Sequence, residues 1–182
     1  MLALEHLLLE AERLWLRPIE MGDAQNIDTH FTEGVTKYMF PSPNANLIET
    51  EGFVRGCILK RRKQEDMIMT IILKDSYDFI GLVGIHRIDT KTPELGIWIK
   101  EAAFGNGYGM EAVHTLVEAF DEMRDFDYYV YPVDSRNKPS QNIALSLEGV
   151  LMSHKQEIVS GDKTLEIDTF HIPTLKGEIN HE

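Results

Sequence analysis

The clearest pattern along the chain is one strongly periodic apolar segment near its middle. Apolar residues recur there at positions i, i+3, i+4, i+7 and i+10, namely Val113, Leu116, Val117, Phe120 and Met123. This spacing places them on one face of an α-helix. The preceding run 95–99 reads Leu-Gly-Ile-Trp-Ile and is typical of a buried strand. The pattern therefore predicts a strand, a short loop and a helix with one buried face.

The remaining apolar runs predict further strands and helices. A β-rich run at 127–133 precedes a helix that opens at Asn137 and extends to about Leu147. Near the end, the residues 160–163 predict the turn of a hairpin between 156–159 and 165–170. The whole order is a strand, two helices, a β meander, a strand, the loop and helix, a strand, a helix and the hairpin. It favours an α+β fold in which helices cover one mixed, mostly antiparallel sheet.

The loop before the periodic helix is rich in glycine. Its residues are Phe104, Gly105, Asn106, Gly107, Tyr108, Gly109 and Met110. Glycines at alternate positions let the backbone curl into a cup of N–H groups, and the helix dipole adds partial positive charge there. The loop therefore predicts a phosphate-binding site.

The spacing of the glycines narrows the kind of phosphate site. A dinucleotide fingerprint needs a sixth-position glycine, but Met110 stands there when the count begins at Gly105. A Walker A loop needs Gly-Lys-Ser/Thr, and neither the lysine nor the hydroxyl is present. Rossmann and NTP-hydrolysing sites are thus disfavoured, while a connector without a ligand stays open.

Composition predicts one globular domain over residues 1–182, with 1–10 and 174–182 as peripheral ends. The chain is 43% hydrophobic and 26% charged, which is ordinary for a globular protein. The first ten residues match neither a signal peptide nor a membrane span. The single Cys57 excludes an internal disulfide and favours a cytoplasmic location, with the thiol as a small buried hydrophobe.

The net charge indicates which classes of partner are favoured and which are disfavoured. With 18 basic and 30 acidic residues, the formal charge is −12, which disfavours a nucleic-acid partner. Cationic acceptors would be attracted, although a solvated acidic surface explains the same charge. The basic run 60–63 falls at the predicted end of a helix and suits its dipole, with a cofactor phosphate contact as the alternative. A homodimer is left open.

Several segments, taken in order, resemble one known superfamily. They are Leu14 to Pro18 with Gly22-Asp23-Ala24, Val35 to Met39, Ile80 to Gly84, Glu94 to Ile99, the glycine loop, and Asn137-Lys138-Pro139-Ser140. Together they resemble the GNAT N-acetyltransferases, and the RimJ/RimL-like branch in particular. The resemblance implies a sheet of about seven strands with a parallel, splayed pair.

The chain departs from the family pattern at two places. Phe104 stands where the superfamily loop usually begins with Gln or Arg, so one side-chain contact to phosphate is missing. The last helix usually ends in Leu-Gly-Phe or Leu-Gly-Gly, whereas the chain reads Leu-Glu-Gly-Val at 147–150. We expect Gly149 to supply the left-handed residue that caps this helix.

The resemblance implies acetyl-CoA as cofactor. The pantetheine amides would pair with strand backbone around Trp98 and Ile99, and the pyrophosphate would lie on the loop from Phe104 to Met110. Asn137 would contact CoA or cap its helix, and Ser140 is a second candidate contact. The implied reaction is transfer of the acetyl group to a primary amine by direct attack in a ternary complex, an acyltransferase activity.

Two residues are candidates for the base that deprotonates the amine. Glu94 is the first choice because family enzymes often place a carboxylate at the start of this strand, and its apolar neighbours predict partial burial. His86 on the adjacent strand 82–88 is the alternative. A solvent-facing glutamate and a structural histidine are the competing interpretations. None of the seven histidines has zinc-site spacing, so we expect no metal.

The acid that protonates the leaving thiolate is less clear from the sequence. Many GNAT enzymes use a tyrosine four residues before the glycine, but Leu145 stands at that position. RimL-like members carry a serine instead, which Ser140 matches, although a serine near a first helical turn also satisfies free N–H groups.

The acceptor pocket is expected between His30 and Asn46 on one side and the C-terminal hairpin on the other. The acceptor itself stays open: a protein N-terminus, an amino acid, a polyamine or another small amine. A second hypothesis is an acyl-CoA-binding module without turnover, acting as a regulator or partner.

Overall fold

The computed structural model describes residues 4–159 and 163–176. Eight strands form one sheet in the order β1-β2-β3-β4-β5-β6-β8-β7. The strands are β1 Leu9–Glu10, β2 Leu14–Pro18, β3 Asp66–Leu73, β4 Phe79–His86, β5 Glu94–Ile99, β6 Tyr128–Asp134, β7 Val150–Ile158 and β8 Thr164–Pro173. Residues 160–162 of the predicted hairpin turn lie outside the described residues, but the two strands that it would join do pair.

Five α-helices accompany the sheet in the described part of the chain. They are α1 Ala24–His30, α2 Glu33–Thr36, α3 Leu47–Arg62, α4 Tyr108–Met123 and α5 Lys138–Ser146. Single 3-10 turns lie at Leu4–His6, Met21–Asp23 and Glu101–Ala103. None of the helices in the ranges 4–159 and 163–176 has both the length and the apolar character that crossing a membrane requires.

One pair of neighbouring strands differs from all the others. β5 and β6 are parallel, and Glu94 opposite Val130 is the register recorded between them. The Val130 N–H donates to the Pro93 carbonyl at 2.8 Å. The next β6 residue that faces β5 is Pro132, which has no N–H to donate. The strands therefore separate beyond this point, which confirms the predicted mixed sheet with a splayed parallel pair.

The two faces of the sheet carry separate apolar clusters. On one face, α4 buries Val113, Leu116, Val117 and Phe120, as the spacing predicted. On the other face, α1 and α3 cover a smaller cluster that includes Cys57. Burial raises the pKa of the Cys57 thiol to about 11, so this residue is an unreactive apolar side chain, as predicted.

The end of α5 differs from the expectation. Glu148, not Gly149, has the left-handed backbone, with a φ of 60°. The Gly149 N–H donates to the Ala144 carbonyl at 2.9 Å, and an added Cβ would lie 2.6 Å from that oxygen. Gly149 is therefore needed for close approach to the helix end, while Glu148 provides the left-handed turn.

The basic run at the end of α3 is held by specific partners. Lys60 contacts Asp66 at 3.0 Å and Arg61 contacts Glu5 at 3.0 Å. Arg61 also donates to the Ile19 carbonyl at 2.8 Å. These contacts join α3 to strand β3 and to the N-terminal segment. Cations at the C-terminal end of a helix also interact favourably with its dipole.

Candidate active site

The glycine loop adopts the conformation that its sequence predicts. Gly105 and Gly107 have φ values of 77° and 75°, in the left-handed region that favours glycine. Gly107 is the N-cap of α4. Gly109 lies inside the first turn, where an added Cβ would make ordinary contacts of 3.4 Å or more. Two of the three glycines are therefore required by the backbone itself.

The main-chain N–H groups of this loop are free within the described residues. The groups of residues 105–110 donate to no acceptor there, and the first bonded N–H is that of Glu111, which donates to the Gly107 carbonyl at 3.1 Å. Six consecutive free donors at the positive end of a 16-residue helix suit a pyrophosphate. This donor set fits the phosphate part of CoA.

A cation lies beside the loop, although Phe104 replaces the usual Gln or Arg. The Arg13 Nη1 donates to the Asn106 carbonyl at 2.9 Å, and the guanidinium lies 4.6 Å from the centre of the Tyr108 ring. Its Nε pairs with Glu111 at 2.7 Å. Arg13 lies one residue before β2, far from the loop in sequence. A separation of 93 residues from Asn106 leaves no local signal.

Where β5 separates from β6, the main-chain groups of alternate β5 residues are directed towards the gap. The Lys100 N–H donates to the Ile80 carbonyl at 2.8 Å, and the Trp98 carbonyl closely approaches Gly81. Both groups therefore face β4, and the alternation of a strand turns the main chain of Ile97 and Ile99 towards β6. Ile99 and Trp98 stay predicted cofactor contacts, and of the two only the main chain of Ile99 is directed towards the gap.

The Trp98 side chain has a structural role instead. Its ring packs against Phe31 and Phe79, with centroid separations of 5.0 and 5.8 Å. These contacts close the smaller apolar cluster below the early helices. Trp98 thus forms part of a wall beside the splayed strands.

A cavity of about 370 Å³ lies at the splay. The predicted polar site residues Glu94, His86, Asn137 and Ser140 all line it. Its walls also include apolar residues from the early segment predicted for the acceptor, namely Phe31, Tyr38, Met39, Phe40 and Pro41, together with Ile167 of β8. The sheet therefore brings the candidate catalytic residues and the predicted acceptor wall to one space.

Ser140 and Asn137 begin α5 at the cavity. The Asn137 Oδ1 accepts from the Ser140 N–H at 3.3 Å, so Asn137 is a helix cap. The Ser140 Oγ lies 2.8 Å from the Tyr131 Oη. Burial raises the pKa of Tyr131 to about 12, although its hydrogen bond with Ser140 opposes the change. The phenol is therefore protonated at neutral pH and is positioned to donate to the serine.

Tyr131 was not recognised from the sequence. Leu145, at the family's tyrosine position, is exposed, and the phenol at the cavity comes from β6 instead. Buried and partly buried residues alternate along β6, and Tyr131 is one of the buried ones. This alternation did not reveal the contact with α5, because that contact depends on how the helix packs.

Three polar residues lie side by side at the end of the central strands. Asp66, His86 and Glu94 occupy directly opposed register positions of β3, β4 and β5. The Glu94 side chain is 39% exposed, in agreement with the expected partial burial, and lies 3.5 Å from Arg87 Nη2. His86 and Glu94, the two candidate bases, are thus neighbours across the sheet.

A buried carboxylate on β6 completes the cavity wall. The Asp134 Oδ2 lies 2.6 Å from Arg136 Nη2 and accepts from the Glu166 N–H at 3.0 Å. Burial raises the pKa of Asp134, but the hydrogen bonds from Arg136 and Glu166 outweigh it and lower the pKa to about 2. In the ranges that the structure describes, no cluster of three or more His, Cys, Asp or Glu residues could hold a metal ion.

Comparison with known protein families decides the family of this chain. The model of the acetyltransferase (GNAT) domain matches residues 13–149. The chain belongs to the GNAT acetyltransferase family. The predicted family, enzyme class and acetyl-CoA cofactor are thereby confirmed. No curated protein sequence matches the chain.

Solved structures of GNAT enzymes share this fold. An acetyltransferase from Salmonella typhimurium that modifies the N-terminal serine of ribosomal protein L7/L12 has a TM-score of 0.79 at 16% identity, covering 92% of this chain and 99% of that chain. RimL, a ribosomal L7/L12 α-N-protein acetyltransferase, in complex with CoA gives 0.80 at 17%, covering 92% and 98%. Spermidine N-acetyltransferase from Vibrio cholerae with CoA and spermine gives 0.78 at 18%, covering 90% and 97%.

Proposed function

We propose that this GNAT protein transfers the acetyl group of acetyl-CoA to a primary amine by direct attack in a ternary complex. The observation that carries the proposal is the cavity at the β5–β6 splay. Residues from both faces of the sheet line it: Ser140 and Tyr131 belong to the face with α4 and α5, whereas His86 and Trp98 belong to the face with α1 and α3. Two substrates approaching from opposite faces would meet there.

The cofactor is assigned to the first of these faces. The free N–H groups of residues 105–110 would hold the pyrophosphate, with Arg13 beside them. The main chain of Ile97 and Ile99 would pair with the amides of the pantetheine arm. When bound, acetyl-CoA supplies an activated acetyl thioester. Free main-chain groups at the splay are also suited to polarising a carbonyl oxygen.

Ser140 is our candidate for the acid. Its hydroxyl lies at the start of α5, and the Tyr131 phenol at 2.8 Å holds it in one orientation. The Ser140 hydroxyl would donate to the departing sulfur while it accepts a hydrogen bond from the protonated phenol. Asn137 fixes the helix start from which Ser140 extends.

The acceptor is assigned to the second face. Apolar walls from Phe31, Tyr38, Phe40 and Trp98 would contact the body of the acceptor, while the carboxylate of Glu94 would attract its ammonium group. Two enzymes whose structures share this fold act on a protein N-terminal serine and on spermidine. We therefore propose that the acceptor is a primary amine of a peptide or of a small molecule. We also propose that the chain acts in the cytoplasm as a single domain.

Calorimetric titration with acetyl-CoA tests the first half of the proposal. We expect binding to the wild-type protein at micromolar to submillimolar cofactor. Absence of binding at millimolar cofactor would contradict both catalysis and an acyl-CoA-binding role.

A thiol-release assay over a panel of amines tests the second half. The panel contains N-terminal serine peptides, amino acids and polyamines, and Glu94→Gln is the matched variant. Turnover with at least one amine, reduced in Glu94→Gln, is expected. Tight cofactor binding without turnover of any amine would favour the binding module instead. Equal turnover by both proteins on a good acceptor would refute the role of Glu94.

A further inference from the structure

Three strands align a row of ionisable residues at one end of the cavity. In register, Asp66 of β3 lies opposite His86 of β4, and His86 lies opposite Glu94 of β5. Directly opposed residues share one face of a sheet. His86 is therefore flanked by a buried carboxylate on one side and a half-exposed carboxylate on the other.

The buried carboxylate is firmly held. Asp66 is 5% exposed. Its Oδ1 accepts from the Arg87 N–H at 2.9 Å, and its Oδ2 accepts from Lys60 Nζ at 3.0 Å. Burial raises the pKa of Asp66, but hydrogen bonds from His86, the Arg87 N–H and Lys60 more than offset this and lower it. Asp66 is thus a fixed anion at neutral pH.

This anion determines how the His86 ring is used. The His86 Nδ1 lies 3.0 Å from Asp66 Oδ2. A carboxylate accepts hydrogen bonds only, so the neutral imidazole carries its proton on Nδ1 and leaves Nε2 with a free lone pair. The contact also fixes the plane of the ring.

The free nitrogen faces the cavity beside the strand assigned to the cofactor. His86 lines the cavity, and its Nε2 would lie 3.5 Å from a Cβ added to Gly96. Because Gly96 has no side chain, the space between Nε2 and the splayed part of β5 stays open. The amine nitrogen would occupy this space.

We propose that His86 is the base of the acetyl transfer and that Asp66 is its positioning residue. This inference rests on the proposed function. Transfer of the acetyl group from the thioester to an acceptor that enters as an ammonium ion forms one C–N bond, breaks one C–S bond, leaves the sulfur as a thiol and releases one proton. His86 Nε2 accepts that proton, and the imidazolium is stabilised by Asp66. Glu94 attracts the ammonium group without taking the proton.

Kinetics of three variants test the catalytic half. His86→Ala lowers kcat by about a hundredfold or more, the usual contribution of a general base, and added imidazole restores part of the loss. Asp66→Asn lowers kcat by roughly tenfold to a hundredfold at nearly constant KM, because the amide can stabilise the wrong tautomer. Glu94→Gln raises KM more than it lowers kcat.

A second histidine and carboxylate pair provides the matched control. His154 on β7 contacts Asp168 through Nδ1 at 2.6 Å and does not line the cavity. His154→Ala keeps kcat within about twofold. Calorimetry with acetyl-CoA and thermal unfolding verify that each variant is folded and binds the cofactor.

The positioning half has a readout that is independent of turnover. In long-range ¹H–¹⁵N spectra of the imidazoles, His86 shows the Nδ1–H tautomer in the wild-type protein and a shifted tautomer ratio in Asp66→Asn. A wild-type His86 protonated on Nε2 when neutral overturns the inference. Unchanged kcat in His86→Ala also overturns it, while the proposed function stands if turnover continues. Failure of the wild type to turn over any amine refutes the proposed function and with it the role of His86 as base, whereas the tautomer spectra still test the contact with Asp66.

Discussion

The two faces of the sheet present their ligand groups in different ways. On the α4 face, free N–H groups of residues 105–110 and the main chain of Ile97 and Ile99 provide the contacts assigned to the cofactor. On the α3 face, the contacts assigned to the amine come from side chains such as His86 and Glu94. Main-chain recognition tolerates most substitutions, whereas side-chain recognition is lost with one residue. We therefore expect the cofactor side to tolerate more substitutions than the amine side, and the choice of substrate to depend on the amine side.

Ser140 lies where these two sides meet, and its removal gives the largest effect among the predictions that follow. We expect Ser140→Ala to lower kcat by about a hundredfold because the departing sulfur loses its proton donor. The Kd of acetyl-CoA should stay within a few-fold. Thiol-release kinetics and calorimetry measure the two quantities.

Ser146→Ala is the matched control on the same helix. Ser146 contacts His114 at 2.7 Å and does not line the cavity, so kcat should be unchanged. An equal loss of kcat in both variants would attribute the effect to α5 stability, not to proton donation.

Asp134, the buried carboxylate of the cavity wall, should make the stability of the protein depend on pH. Asp134 has a folded pKa of about 2, below its unfolded value near 3.8, so its contribution to the free energy of unfolding is present above pH 4. That contribution, about 2 kcal/mol, is lost as pH falls from 4 towards 2. We expect Asp134→Asn to be less stable at pH 7 and to lose this difference in acid.

Urea unfolding at pH 7, 4 and 2.5 measures the effect. Asp125→Asn is the control because Asp125 pairs with Lys91 on the surface and should change stability little. A constant difference between wild type and Asp134→Asn at all three pH values would contradict the assignment.

The cofactor side should respond to backbone shape. Gly107→Val places a β-branched residue at a φ of 75°, a conformation that such residues rarely adopt. We expect the loop to shift and the Kd of acetyl-CoA to rise about tenfold, which is 1.4 kcal/mol. Calorimetry checks this, and Gly52→Val on α3, where an added Cβ meets nothing within 4 Å, should bind normally.

Arg13 tests whether side chains add to the main-chain site. Arg13→Gln removes the cation beside the loop and its contact with the Asn106 carbonyl. We expect a loss of acetyl-CoA affinity of about threefold, in the range of a partly exposed charge interaction, that shrinks at high salt. Arg55→Gln, which breaks an exposed pair on α3, is the control. A loss above a hundredfold would mean that the side chain, not the backbone, dominates phosphate binding.

Local patterns account for most of the fold and for the cofactor loop. The buried face of α4 follows from residue spacing, and the left-handed Gly105 and Gly107 follow from composition. The order of elements also revealed the mixed sheet. For the helix and the loop, the information lies within a few residues of the feature.

What the sequence did not reveal depends on contacts between distant segments. The Asp66 contact with His86 joins residues 20 positions apart and exists only in one strand register. The orientation of the Trp98 main chain depends on how β5 pairs with β4. Arg13 reaches the loop only after the sheet has formed. None of these leaves a signature in the neighbouring sequence.

Pro132 has a consequence for how the site comes to be open. A gap between two strands normally leaves a donor and an acceptor unsatisfied, and the strands tend to close over it. Pro132 has no N–H group, so closure of the gap would form fewer hydrogen bonds. The gap between β5 and β6 is therefore preorganised. The amides of a pantetheine arm would supply the N–H donors that Pro132 lacks.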